Sequence, residues 1–228
     1  PARACAEESL ALWQRLGDRR GEASALNLLG LISRDAGARD FVDGSDRDEG
    51  ALDHAEALLQ QALAIRREVR DSIGEAMSLH NIGLVAYSRS DTAAAESCWA
   101  EALAIRRRIG DRLGVAETVC NLGVTAQDRG EYPAAADAYR ECLVIWRDLG
   151  NRSTMALPLN NLGELAAAEG RIGQAMVLLA AAEKAFRELS LPVAEVPART
   201  LQGLSGHPEA QPFAERLEAA RNTSWDAA

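Results

Sequence analysis

The chain has 228 residues, of which 47% are hydrophobic, so its composition predicts a folded protein with a substantial core rather than a disordered one. Its 34 acidic and 25 basic residues give a net charge of −9, and nearly all of the positive charge is on arginine. General nucleic-acid binding is not expected, because that affinity comes mostly from cations that neutralise phosphates. No run approaches the roughly 18 consecutive apolar residues of a membrane-spanning helix, and no signal peptide is apparent.

The cysteines lie inside apolar helical patterns and form no C-x-x-C pair. They are Cys5, Cys98, Cys120 and Cys142. We interpret them as small, reduced core residues of a cytoplasmic protein. The sequence opens at Pro1 within a helical pattern and without an initiating Met, which predicts a piece of a longer protein.

Helical repeats, taken in chain order, account for most of the sequence. The segment 1–17 matches the second half of a repeat, because Trp13 precedes Gly30 by the same interval as Trp146 precedes Gly163. Four helix-turn-helix units follow, at residues 18–70, 71–110, 111–150 and 151–190. Their glycines stand at intervals of 53, 40 and 40 residues, at Gly30, Gly83, Gly123 and Gly163. Apolar residues recur at steps of three and four within each unit, which is typical of helices and not of strands.

Every unit repeats one internal order. A turn is predicted seven residues after each glycine, at Gly37, Ser90, Gly130 and Gly170. A short polar residue ahead of each first helix predicts an N-cap, at Asp18, Asp71, Asp111 and Asn151. Small residues let paired helices approach closely, while Trp13, Trp99 and Trp146 are expected to fill the core. Since one pair cannot bury its apolar face alone, the pairs are predicted to stack into a solenoid.

Three segments depart from this order. Within about residues 37–52, 13 extra residues form an acidic insertion whose carboxylate spacing fits a calcium loop poorly, so a solvated loop is expected, with contact to a partner as another possibility. Pro158 predicts a kink or a late start of the helix that contains it. Proline-rich residues 191–228 predict a helical cap with short helices near 193–204 and 209–221.

The order Leu, Leu, Gly, followed by Ala, an aromatic residue and Ala, resembles the tetratricopeptide (TPR) repeat over residues 1–190. The chain departs from that family in its 40-residue period, where about 34 is usual, and it lacks the closing Pro. This long variant, with phrases such as LALWQRLGDRRGEASALNLLG, looks most like the C-terminal sensor arrays of bacterial signal-transduction ATPases and LuxR-type, maltose-regulator-like transcriptional regulators. The GxxxxGK[ST] nucleotide loop of such ATPases does not occur in this sequence.

We therefore expect an all-α, right-handed superhelical solenoid of antiparallel helix pairs over residues 1–190, followed by the cap at 191–228. The resemblance implies a cytoplasmic, non-catalytic binding module of a larger bacterial regulator, which takes a peptide, protein or small effector in a concave groove. An assembly scaffold or oligomerisation module without effector sensing is the alternative.

In arrays of this type the first helices line the groove, and here they carry recurring asparagines. One amide both donates and accepts, so it can bind a backbone C=O and N–H together. The candidate ligand-binding residues are Asn27, Arg34, His80, Asn81, Tyr87, Asn121, Gln127, Asn160 and Asn161. The alternative role for the asparagines is structural, with each amide bonding a neighbouring helix and fixing the repeat geometry.

Catalytic patterns are missing from the sequence. Its three histidines do not share a helix face at metal-ligand spacing, and no G-x-S-x-G frames a nucleophile. We therefore expect neither enzymatic activity nor a metal or cofactor.

Overall fold

The computed structural model describes residues 2–38, 48–189, 195–207, 210 and 213, and these form an all-helical array of paired antiparallel helices. The helices are α1 (Ala2–Leu16), α2 (Arg19–Gly37), α3 (Glu49–Glu68), α4 (Ser72–Ser88), α5 (Thr92–Ile109), α6 (Arg112–Asp128), α7 (Tyr132–Asp148), α8 (Ala156–Ala168), α9 (Ile172–Glu188) and α10 (Glu195–Leu204). The chain divides into two compact units, Pro1–Thr118 and Val119–Ala228, and the division falls within α6.

In the unit Pro1–Thr118, successive helices pack through apolar side chains that recur at helical spacing. Leu52, Leu59, Leu79 and Ile82 form the centre of one buried cluster between α3 and α4. A second cluster joins α1 to the following pair through Ala6 and residues of α2 and α3. Each of α2, α3 and α4 packs against both the helix before it and the helix after it, so it buries side chains on more than one side.

In the unit Val119–Ala228, α8 and α9 form the central pair. One buried cluster contains Leu159 and Phe186, and another contains Ile172, Leu179 and Leu201. Leu201 belongs to α10, so the predicted short helix near 193–204 packs onto the last pair as a cap does. The helix predicted near 209–221 lies outside the described residues, apart from positions 210 and 213.

The repeat glycines mark the closest approach within each pair. A Cβ atom built on each glycine would lie 2.4–2.8 Å from a large side chain of the paired helix. That side chain occupies the same repeat position in every unit, once the insertion in the first unit is discounted. The contacting pairs are Gly30 with Leu59, Gly83 with Trp99, Gly123 with Tyr139, and Gly163 with Leu179. Because real Cβ atoms essentially never lie that close, any larger residue at these positions would force the paired helices apart.

Left-handed residues close most of the helices. Predicted turn positions Ser90, Gly130 and Gly170 have φ of 64°, 76° and 74°, which is the region that glycine adopts without steric cost. Gly37 does not take this role and is the last residue of α2. It is buried, and a Cβ there would lie 2.9 Å from the Asp48 carbonyl oxygen, so its small size serves packing.

Aspartate caps begin most of the first helices, as predicted. The Oδ1 atoms of Asp18, Asp71 and Asp111 accept hydrogen bonds from backbone N–H groups at 2.9–3.0 Å. The Asn151 cap is wrong, because its Oδ1 accepts from the Ser153 hydroxyl at 2.9 Å and a 3₁₀ turn, Ser153–Met155, precedes α8. This delayed start of α8 agrees with the effect expected of Pro158.

The four cysteines differ in burial. Cys120 and Cys142 are buried as predicted, but Cys98 is only half-buried and Cys5 is exposed, so the core assignment of Cys5 is wrong.

Residues 39–47 of the acidic insertion lie outside the described residues. At its C-terminal end, the Asp48 side chain caps α3 by accepting from the Ala51 N–H at 3.0 Å.

Candidate protein-interaction surface

In the first compact unit, the predicted groove asparagines Asn27 and Asn81 are buried and bonded to each other. Asn81 Nδ2 donates to Asn27 Oδ1 at 3.1 Å, which links α2 to α4. Asn27 is 6% exposed and Asn81 is 8% exposed, so neither presents its amide to solvent. Of the two roles considered for the asparagines, these contacts support the structural one at these positions.

A buried arginine completes the network. The Arg66 guanidinium donates from Nη1 to the Gly74 carbonyl at 2.7 Å, to Ser78 Oγ at 2.8 Å and to Asn27 Oδ1 at 3.3 Å. Arg66 is only 3% exposed, and burial lowers its pKa although Asp71 favours the charge. One cation therefore joins α2, α3 and α4 through neutral acceptors.

The same arrangement recurs in the next repeat. Arg106 Nη1 donates at 2.6 Å both to the Gly114 carbonyl and to Thr118 Oγ1, and it lies 3.4 Å from His80 Nδ1. The carboxylate of Glu117 is 3.7 Å from the same nitrogen. Burial raises the pKa of Glu117, and Arg106 opposes that rise.

Sequence reasoning missed both arginines, although a signal for them is present. Arg66 and Arg106 occupy, ahead of the second and third repeat glycines, the register position that Trp13 and Trp146 occupy ahead of the first and fourth. A glycine stands eight residues after each Arg, and a hydroxyl residue, Ser or Thr, stands twelve after it. At the same distance after the tryptophans, the chain has Ala and Pro instead of a hydroxyl residue. The hydroxyl acceptor therefore occurs only in the repeats that have the arginine.

His80 is more deeply enclosed than a groove-surface residue would be. Burial, then the charges of Arg106 and Arg34, lower its pKa to about 3, so the ring is neutral near pH 7. Its backbone carbonyl accepts from Trp99 Nε1 at 3.0 Å, and its ring lies 6.3 Å from the Trp99 ring. His80 thus takes part in packing between α4 and α5.

Arg34 lies near the C-terminal end of α2, and Tyr87 lies near the C-terminal end of α4. Arg34 Nη2 pairs with Asp35 at 2.5 Å and remains 23% exposed. Tyr87 is half-buried, with its ring 6.0 Å from that of Trp99. Both keep accessible area on the first helices, which is compatible with the predicted role.

The second compact unit brings predicted and neighbouring polar groups into one continuous row. Tyr139 Oη donates to Gln127 Oε1 at 2.9 Å and accepts from Asn161 Nδ2 at 3.1 Å. Asn160 Nδ2 in turn donates to Asn161 Oδ1 at 3.5 Å and to Glu164 Oε1 at 3.1 Å. We call these five residues, Gln127, Tyr139, Asn160, Asn161 and Glu164, the polar row.

Within the polar row, one buried acceptor has no hydrogen-bond partner. Asn160 is 6% exposed, and its Oδ1 atom is bonded to no protein group. The amide orientation is fixed by Glu164, because a carboxylate only accepts and must face the Asn160 NH₂ group. The polar row thus contains one buried carbonyl oxygen whose hydrogen-bonding capacity no protein group uses.

Burial also changes the pKa of one member of the polar row, Tyr139. Tyr139 is fully buried, and burial raises the pKa of its phenol while the bond from Asn161 lowers it. The hydroxyl therefore stays protonated and keeps its direction as a donor to Gln127. Asn121, the remaining predicted asparagine, is half-buried on α6.

Metal-ligand side chains are scattered over the described part of the chain. There, no three His, Cys, Asp or Glu side chains come together as a metal site requires. None of the helices described has both the length and the apolar content needed to cross a bilayer.

Comparison with known proteins identifies the repeat type. The family model for the tetratricopeptide repeat matches residues 45–108 and 75–148. No curated protein matches the sequence. Residues 45–148 are therefore similar to tetratricopeptide repeats.

Solved structures share the fold at low sequence identity. BtubC (BKLC) from P. vanneervenii superposes with a TM-score of 0.73 at 19% identity, covering 96% of this chain and 89% of that one. A putative kinesin light chain from Podosopora anserina, with nearly identical TPR-like repeats, gives 0.60 at 16%, covering 87% and 94%. A Rap protein complexed with Competence and Sporulation Factor gives 0.56 at 19%, covering 96% and 59%.

Proposed function

We propose that this chain is the effector-sensing, non-catalytic TPR array of a larger cytoplasmic bacterial regulator, and that it binds a peptide or protein segment on its first helices. The observation that carries the proposal is the polar row on α6 and α8, where Gln127, Asn161 and Glu164 are half-buried and keep accessible area. A peptide backbone fits these groups, because its C=O can accept from the amides of Gln127 or Asn161 and its N–H can donate to the carboxylate of Glu164. The likeness to a Rap protein complexed with a factor supports the class of ligand.

Because the helices are already formed, binding would cost little conformational entropy of the protein. Gln127, Tyr139 and Asn161 are already held by mutual hydrogen bonds, so few side chains must be ordered when the ligand arrives. In the parent regulator, binding would bias an attached switch domain, while the array itself provides the recognition.

The test uses a mixture library of heptapeptides as the probe. The full chain is screened for an increase in melting temperature, and each hit is titrated against Asn160→Ala and Asn161→Ala. We expect each substitution to weaken binding about tenfold, as loss of one buried hydrogen bond implies. Gln174→Ala, which removes an exposed amide from the second helix α9, is the matched control and should bind as the wild type does.

Folding of the variants is followed by circular dichroism, so that lost binding is separated from lost structure. A hit whose affinity is the same in Asn160→Ala, Asn161→Ala and Gln174→Ala would exclude the polar row as the site. A library without any hit would remove the support for a peptide sensor.

The alternative is an assembly scaffold, and exposed leucines on α1 favour it. Leu12 and Leu16 lie one helical turn apart and are 44% and 64% exposed. If a second copy covers them, light scattering will show a mass that rises with concentration and falls back to the monomer in Leu16→Gln. A monomer at all concentrations rejects this alternative.

A further inference from the structure

The third repeat differs from the others by having thiols at two facing positions. Cys120 lies three residues before the repeat glycine, where the other repeats have Asn27, His80 and Asn160. Cys142 lies in the following second helix, at the register position where the others have Ala62, Ala102 and Ala182. All four residues at the second position are 0% exposed, so this is a point of close approach between paired helices.

The two thiols are in contact in the core between α6 and α7. Cys120 is 5% exposed and Cys142 is 0% exposed, and the two positions lie opposite each other one helical turn from the Gly123–Tyr139 contact. Cys142 Sγ also donates to the Tyr139 carbonyl at 3.1 Å. Next to this contact, a Cβ on Gly123 would lie 2.8 Å from Tyr139 Cε1, which again shows how closely the helices pack.

We propose that Cys120 and Cys142 form a dithiol modification site, which a small hydroperoxide oxidises to a disulfide joining α6 and α7. One thiolate attacks a peroxide oxygen, giving a sulfenic acid and one water. The second sulfur then displaces the hydroxyl from the sulfenic acid, forming the S–S bond and a second water. Two electrons and two protons leave the thiols, and hydrogen peroxide is reduced to two water molecules.

Packing controls the rate of this reaction. The neighbouring Cys120 side chain, together with burial, raises the pKa of Cys142, so its thiol stays protonated while the helices are closed. Since the thiolate is the nucleophile, reaction proceeds through brief opening of the α6–α7 contact. The two sulfurs must then approach to the disulfide bond length of about 2.05 Å.

Oxidation at this site acts directly beside the polar row. Tyr139 accepts from Cys142 through its carbonyl and binds Gln127 and Asn161 through its hydroxyl. The proposal goes beyond the proposed function and does not depend on it, because the disulfide can be detected without any ligand.

The experiment uses the full chain with Cys5→Ser and Cys98→Ser, which leaves only the two buried thiols. The reduced, folded protein is exposed to hydrogen peroxide in native buffer, alkylated and digested with trypsin without reduction. We expect the intact mass to fall by about 2 Da, as loss of two hydrogens requires. Residues 113–129 should be recovered covalently linked to residues 141–147, since these tryptic peptides contain Cys120 and Cys142.

Cys142→Ala in the same background is the matched control, because alanine occupies this position in the other three repeats. It should keep its helical circular dichroism and lose the decrease of about 2 Da expected for a disulfide. The linked protein should also keep its helicity and recover its original mass with dithiothreitol. Unchanged thiols, linkage only between molecules, linkage only in denaturant, or loss of helicity on linkage would each overturn the proposal.

Discussion

Two buried guanidinium groups, Arg66 and Arg106, are the main polar residues of the first compact unit. Each is 3–4% exposed, and each donates to a carbonyl and a hydroxyl of the next first helix. Their Nε atoms have no hydrogen-bond partner, so neither cation is fully satisfied. Such groups favour one geometry between neighbouring repeats, because any shift of register would leave more donors buried and unpaired.

Replacement of Arg106 by Met should lower the free energy of unfolding by about 2–4 kcal/mol, since breaking a buried charged network leaves its partners uncompensated. Arg108→Met, on an exposed arginine two residues later, should change it by less than about 0.5 kcal/mol. Urea unfolding measures both. Equal effects of the two substitutions would show that the buried network contributes nothing specific.

His80 predicts a pH dependence of stability. Its pKa is lowered to about 3 in the folded protein and is 6.5 as a model value, so the unfolded chain takes up a proton first as the pH falls. The stabilisation is therefore complete above about pH 6.5 and is lost progressively down to about pH 3. From pH 6.5 to pH 5, His80 alone should reduce the free energy of unfolding by about 1–2 kcal/mol.

His80→Asn provides the comparison, because asparagine occupies this register position at Asn27 and Asn160. Urea unfolding at pH 7 and pH 5 should give a smaller loss for the variant, while the carboxylates affect both proteins alike. The same pH dependence in the two proteins would contradict a proton-linked role for His80.

At the level of elements, the turns between helices use the left-handed conformation even where glycine is absent. Arg70 has a φ of 54°, and the equivalent residues after the other second helices are Gly17, Gly110 and Gly150, with φ of 68–74°. A side chain with a Cβ costs about 1 kcal/mol in this region. The turn after α3 is therefore the least relaxed of this group.

Arg70→Gly is expected to stabilise the protein by about 0.5 kcal/mol, because relief of the left-handed strain exceeds the added flexibility of the unfolded chain. Gly110→Ala makes the reverse change at the matching turn, where a Cβ would meet nothing within 4 Å, and should destabilise by about 1 kcal/mol. Denaturant midpoints provide the measurement, and a loss of stability in Arg70→Gly would exclude strain at this turn.

Considered as a whole molecule, the chain is acidic, and several of the arginines that the structure describes make intramolecular contacts. Arg66 and Arg106 are buried, while Arg67 bridges Glu75 and Glu101 at 2.8 and 2.5 Å. The net charge of −9 therefore opposes approach to a polyanion.

We expect no binding of a labelled 30-base-pair DNA duplex at about 150 mM salt by fluorescence anisotropy, because the net negative charge of the chain repels the phosphates. A basic DNA-binding domain of similar size serves as the positive control. Salt-dependent binding by this chain would contradict the assignment of its arginines to structure.

The repeat period was predictable from sequence alone because packing imposes a strict register. The glycine, the large residue that faces it and the aspartate caps are local requirements of helix pairs, and they recur wherever a pair recurs. Pro158 was predictable for the same reason, since its effect on a helix depends only on neighbouring residues. The right-handed superhelix of the whole array stays a prediction.

The roles of the polar residues were decided by tertiary structure. A repeated Asn has the same local pattern whether it meets a ligand or a neighbouring helix, and only the packing shows that Asn27 and Asn81 bond each other while Asn160 retains an unpartnered oxygen. Likewise, Arg66 and Arg106 look like surface residues in sequence because charge disfavours burial. The sequence by itself thus determined the helices and their register. Contacts between helices determined which polar groups are buried, and they left the buried acceptor Asn160 Oδ1 without a hydrogen-bond partner.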